Sequence, residues 1–135
     1  MNKLVATAVS ALLVVAASFE AAAHSMQPGY EKKFAPGEAF SIYYEVKNDY
    51  EYPATFRIEV FAKDGKTVEE GWKLSDSDPF KLFPGNKKRI RVKLRMLPEI
   101  KQRKILVCSI LDKVGYNDKE PGTISRVCSR LWLWR

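Results

Sequence analysis

The octet FSIYYEVK at positions 40–47 decides the class of fold. Phe40, Ile42, Tyr44 and Val46 alternate with Ser41, Tyr43, Glu45 and Lys47, a period of two that belongs to a half-buried strand rather than a helix. The same beat returns where Phe56, Ile58, Val60 and Ala62 alternate with Thr55, Arg57, Glu59 and Phe61. It returns again where Ile90, Val92 and Leu94 alternate with Arg89, Arg91, Lys93 and Arg95. Turn formers fall between these runs: Asn48-Asp49 with Pro53, Asp64-Gly65, Pro84-Gly85-Asn86, Pro98, and Asn117-Asp118 with Pro121-Gly122. Residues 67–78 fit neither period, although Trp72 and Leu74 share a face and suit a short edge strand. About six or seven short strands separated by turns predict an all-β sandwich.

Length and charge agree with one such domain. The chain has 135 residues, 46% of them apolar, and 23 basic against 16 acidic side chains give a net charge of +7. Multi-domain enzymes, repeat arrays and polytopic membrane proteins are excluded, and an aromatic content of 12% argues against disorder. Residues 1–23 read differently from the rest. Lys3 precedes an apolar run from Leu4 to Phe19, and Ala21-Ala22-Ala23 offers the small side chains that a signal peptidase requires. Positions 1–23 are therefore expected to be a signal peptide, with a single domain over 24–135. Every later apolar stretch is broken by charge within a few positions, so no stable membrane insertion is expected after cleavage.

Export makes the cysteine count meaningful. Cys108 and Cys128, the only two, form an even pair in a small domain bound for an oxidising compartment, which favours one disulfide. If they face each other across two antiparallel strands, opposing residues sum to 236, so that Ile105 faces Leu131, Ser109 faces Val127 and Ile110 faces Arg126. The two faces then separate. Ile105, Val107, Leu111, Val127, Leu131 and Leu133 turn to the core. Cys108, Arg126, Cys128, Arg130, Trp132 and Trp134 turn outward with Leu106 and Ile110.

Catalytic chemistry has few materials here. The single histidine, His24, stands at the expected mature terminus, where a frayed and solvated position is anticipated. Neither a Ser/His/Asp nor a Cys/His arrangement can be assembled with oxidised cysteines, and the carboxylates are scattered. No enzyme activity, no metal and no cofactor are expected. The basic run Lys87, Lys88, Arg89, Arg91, Lys93 and Arg95 alternates with core residues and reads as the wet face of one strand, with nonspecific attraction to an anionic cell surface as the alternative. Export removes cytoplasmic nucleic acid as a partner.

The terminal strand is the sharper signal. A strand that ends a chain tends to lie at a sheet edge, and 123–134 holds many β-formers and no proline to block pairing, so an incoming strand could add to it. Tryptophan and arginine beside such an edge are residue types that dominate interface energy.

The order of segments resembles the N-terminal, immunoglobulin-like domain of the PapD-like periplasmic chaperones of the chaperone-usher route. The stretches that carry the resemblance are PGEAFSIYYEVKNDYEYPATFRIEVF, DPFKLFPGNKKRIRVKL, LPEIKQRKILVCSIL and SRVCSRLWLWR, which together span most of 36–135. The resemblance implies an immunoglobulin-like β-sandwich of about seven strands and a periplasmic location. It also implies a non-enzymatic chaperone that lends its final strand to an incomplete pilin and grips the pilin's terminal carboxylate with two basic residues. Arg130 matches the final-strand anchor, where the family typically has lysine, and Lys32 or Lys33 is the candidate on the first strand. One branch of the family joins its last two strands by a disulfide in similar places to Cys108 and Cys128. The stretch before the anchor, Thr123-Ile124-Ser125-Arg126, departs from the alternating bulky apolar series of a donor strand.

Three functions are compatible with these readings. The first is a periplasmic chaperone-like or assembly protein that binds an extracytoplasmic subunit, pilin-like or part of a secretion system, by edge-strand addition along Ser125 to Trp134. In it Arg126 and Arg130 hold a carboxylate while Trp132 and Trp134 give apolar contact. The second is a surface module in which Tyr43, Tyr50, Tyr52 and the tryptophans stack on glycan while lysines attract anionic polymer. The third is a structural component of a secretion or pilus machine.

Overall fold

The computed structural model describes residues 24–74 and 78–135. The expected signal peptide at 1–23 lies outside the described residues. Nine strands follow one another: β1 (His24–Gln27), β2 (Tyr30–Phe34), β3 (Ala39–Asn48), β4 (Ala54–Ala62), β5 (Trp72–Leu74), β6 (Phe80–Leu82), β7 (Lys87–Arg95), β8 (Gln102–Val114) and β9 (Arg126–Trp134). They form a four-stranded sheet in the order β1-β3-β7-β5 and a five-stranded sheet in the order β2-β9-β8-β4-β6. This is the all-β sandwich that alternation predicts, of the immunoglobulin-like kind that the resemblance implies, with more strands than expected. The surplus comes from the first segment, which supplies a strand to each sheet, and from short edge pieces at β5 and β6.

The alternating residues behave as their period requires. Ile42, Tyr44 and Val46 of β3, Phe56, Ile58 and Val60 of β4, and Ile90, Val92 and Leu94 of β7 are all buried between the sheets. Ile105, Val107, Leu131 and Leu133 close the core from β8 and β9. Each fully buried side chain of this size contributes about 1.5–3 kcal/mol of transfer free energy. β3 and β7 pair along nine rungs, from Ala39↔Arg95 to Lys47↔Lys87, and β5 adds Trp72↔Leu94 through Leu74↔Val92 on the far side of β7. No helix among the described residues is long and apolar enough to cross a membrane.

Two buried polar residues tie the sandwich together at one end. Asn48 is fully buried, and its side chain donates to the carbonyls of Tyr52 (3.0 Å) and Leu82 (2.9 Å) while accepting from the amide of Tyr50 (2.9 Å). It thereby locks the turn after β3 onto β6 of the other sheet. His24 lies beside it in the first rung, His24↔Asn48. The sequence places His24 at a frayed terminus, and the structure corrects this: the residue is 2% exposed, and its Nε2 donates to the carbonyl of Ser109 on β8 at 3.0 Å. The ring also sits 4.7 Å from that of Phe56. Burial holds the imidazole below its usual pKa and so in the neutral form.

Candidate functional site

The site is built on β8 and β9. Their register runs from Gln102↔Trp134 to Ile110↔Arg126 and includes Cys108↔Cys128, Ile105↔Leu131 and Ser109↔Val127, the pairing that a sum of 236 predicts. Cys108 and Cys128 are joined by a disulfide across this rung.

The structure then corrects the expectation that β9 is an open edge along its whole length. β2 pairs with it in parallel from Tyr30↔Arg130 to Phe34↔Trp134, so β9 lies inside the sheet over that half. The reason is the path of the first segment. β1 belongs to the opposite sheet, and the chain crosses at Pro28-Gly29 to reach β9 only at Arg130, whose amide donates to the Gly29 carbonyl at 3.0 Å. Trp134 ends the pairing, its carbonyl accepting from the Ala35 amide at 2.8 Å. These two bonds place the main-chain groups of even-numbered β9 residues on the β2 side. Arg126 and Cys128 therefore aim their N–H and C=O groups past the start of β2, and among the described residues no strand pairs with that flank. Just before it stands Ile124, 91% exposed.

The outward side chains divide along the same line. Arg126 is committed to the β4 hairpin: its guanidinium donates to the Gly65 carbonyl at 2.9 Å and lies 4.9 Å over the ring of Phe61. Gly65 holds φ 70°, a left-handed conformation that glycine adopts without steric cost. The Asp64 carboxylate, which accepts from Lys66, Thr67 and the Thr67 hydroxyl, shapes the turn. The hairpin loop so held covers the outer face near the disulfide, where Cys108 and Ile110 are buried although they face away from the core.

Arg130 differs. Its side chain is exposed, and among the described residues no carboxylate or carbonyl pairs with its guanidinium. It lines a depression of about 420 Å³ together with Tyr30, Lys63, Lys104, Leu106 and Trp132. Trp132 is half-buried between cations from both neighbouring strands, with the Lys32 ammonium 4.1 Å and the Lys104 ammonium 4.3 Å from its ring. Trp134, more exposed, packs against Phe34 at 4.8 Å. Of the two first-strand candidates, Lys32 faces Trp132 while Lys33 points away and pairs with Glu31 at 3.6 Å. The structure thus brings Arg130, Trp132 and Lys32 together, places Trp134 at the end of the same row, and sets Arg126 and Lys33 apart. Lys63, Lys104 and Tyr30, which complete the depression, carry no pattern in the sequence that would single them out. Lys104 alone was traceable, as the rung partner of Trp132 once the cysteine register is fixed. Chemically the depression gathers three cationic side chains over an aromatic floor, an arrangement suited to an anion. Among the described residues no group of three or more histidine, cysteine or acidic side chains is positioned to hold a metal ion.

No protein-family model and no curated sequence matches the chain. Solved structures do. The E. coli chaperone DraB superposes with a TM-score of 0.60 at 17% identity, over 82% of this chain and 53% of its own. The SafB chaperone of Salmonella enterica, seen in complex with the SafA pilin, gives 0.61 at 17% identity over 82% and 53%. A PapD-like domain of human CEP192 gives 0.56 at 10% identity over 84% of this chain and 85% of that one. The chain thus spans about half the length of the chaperones it resembles. At such identities the likeness speaks for architecture, which unrelated functions share. The chain therefore has the immunoglobulin-like sandwich fold that these PapD-like domains share.

Proposed function

We propose that this protein is an exported, non-enzymatic, chaperone-like binder of an extracytoplasmic protein subunit. The subunit docks by adding a strand to the uncovered flank of β9 over Arg126 to Ser129 and places its terminal carboxylate on Arg130. One observation carries this reading. β2 stops short, so that unpaired main-chain groups lead directly to a guanidinium without a partner among the described residues. Strand addition supplies main-chain hydrogen bonds, and a charged anchor sets the register. Likeness to chaperones, one of them holding a pilin, supports the same reading. The docking segment is shorter than a fully open β9 would offer, because β2 already occupies Arg130 to Trp134.

Lys104 and Lys32 raise the positive potential beside Arg130 without being able to replace its two-pronged grip on a carboxylate. Arg126, tied to Gly65, acts by holding the hairpin loop rather than the ligand. The test is capture of partners from an envelope fraction by wild-type protein and by Arg130→Ala. The variant is expected to retain the wild-type unfolding midpoint and to lose roughly 2 kcal/mol of binding, about thirtyfold in affinity. Equal capture by the two proteins would dismiss the anchor.

A further inference from the structure

We infer that the outer face of the four-stranded sheet is a binding site for an acidic polysaccharide chain. β7 sends Lys87, Arg89, Arg91, Lys93 and Arg95 to this face, a row of cations recurring at about 6.8 Å over roughly 27 Å. Its neighbours extend the row: Lys47 on β3 stands directly opposite Lys87, and Lys73 on β5 directly opposite Lys93. Like charges placed opposite each other across a ladder oppose folding, and here the arrangement occurs twice. Protection of a sheet edge does not account for Lys93, where β7 is paired with β3 on one side and β5 on the other.

The charge is only partly neutralised from within. Glu45 pairs with Lys87 at 3.6 Å and Asp49 with Lys47 at 3.3 Å, both at one end of the row. Among the described residues no carboxylate forms an ion pair with Lys73, Arg89, Lys93 or Arg95. The distribution is a line rather than a plane, since β3 presents Ser41 and Tyr43 beside the row and β1 presents Ser25 and Gln27. A line of charge along one strand fits a single polymer chain better than a bilayer, and the nine-rung pairing with β3 keeps its cations aligned before the ligand arrives. Tyr43 supplies what a sugar needs. Its ring is 46% exposed and backed by the Arg89 guanidinium at 4.1 Å, an aromatic platform inside the row. The Arg130 depression faces outward from the other sheet, so the two sites can be filled together and this inference stands independently of the docking reading.

The experiment measures binding of the purified protein to dextran sulfate across a salt series. Wild type is expected to bind with an affinity that falls steeply with salt, with a log–log slope of about −4. A variant combining Lys73→Gln, Lys93→Gln and Arg95→Gln should bind at least tenfold more weakly at low salt. A control with the same charge change, Lys66→Gln with Lys101→Gln and Lys119→Gln, should lose less than twofold. Tyr43→Ala should weaken binding with the slope unchanged, and single Lys73→Gln and Lys93→Gln variants repeat the test with minimal perturbation. Equal losses in the two triple variants would reduce the effect to net charge and overturn the site. Tighter binding to phosphatidylglycerol vesicles, or to oligothymidylate of equal charge, would overturn the assignment to a polysaccharide.

Discussion

The two halves of β9 share one strand and one partner, β8, yet are held in different ways. Over Arg130 to Trp134 the strand has a neighbour on each side, and β2 brings Lys32 onto Trp132 and Phe34 onto Trp134. Over Arg126 to Ser129 it has β8 alone, and here the disulfide joins the two strands while Arg126 ties the outer face to the hairpin at Gly65. Half a ladder is replaced by a covalent bond and a charged hydrogen bond. The comparison teaches that an edge can stay unpaired without fraying if its other flank is braced, and an edge left available for a partner needs that property.

Breaking the brace is the severest test. Converting Cys108 and Cys128 to alanine opens a covalent loop with a sequence separation of 20, for which the loss should be about 3 kcal/mol in denaturant unfolding. The loss should also be local. Amide exchange is expected to accelerate at Arg126 to Ser129 well before Arg130 to Trp134, where β2 still pairs. Uniform acceleration along β9 would mean that its halves are not independently held.

Much of this division was legible in the sequence and part of it was not, for physical reasons. The alternation of 40–47 and 89–95 marks strands because each buries one face, and the cysteine pair fixes the β8–β9 register because a disulfide demands opposed positions. The segment 30–34, Tyr-Glu-Lys-Lys-Phe, shows no continuous apolar face to bury, so the resemblance implies a strand there but nothing in the residues says that it covers β9. Its pairing is set by where β1 ends and by the aromatic and cationic side chains of β9, contacts between residues about a hundred positions apart. The burial of His24 is hidden for a similar cause: the carbonyl that holds it is 85 residues away. Arg126 and Arg130 look alike in sequence, and only the hairpin loop above one of them separates a structural guanidinium from a free one.

The covered half can be sharpened by removing its clasp. Trp132→Ala deletes a half-buried indole and both cation contacts and should cost roughly 2 kcal/mol, less than full burial would imply because the indole is partly open to solvent. Protection should vanish at Tyr30 to Phe34 and persist at Arg126 to Ser129, the mirror image of the cysteine variant. Loss in both halves would show that β2 stabilises the whole strand.

The smallest effect comes from His24, which reaches across the core to Ser109, the residue opposite Val127 in the uncovered half. Burial is the main cause of its lowered pKa, opposed by the hydrogen bond to Ser109 and by the Asp49 carboxylate. Above the ordinary histidine value both folded and unfolded states are neutral, and the residue adds no pH dependence. Below it the unfolded chain takes up a proton that the folded one refuses, so stability falls as pH drops through about 6.5 and levels off once the folded imidazole is also protonated. The slope from this one group cannot exceed about 1.4 kcal/mol per pH unit. His24→Gln, whose amide can still donate to the Ser109 carbonyl, should flatten that part of the profile relative to wild type between pH 7 and 5. Identical profiles for the two proteins would mean that the imidazole is protonated as readily in the fold as out of it, and that β1 is not held across the core by a neutral ring.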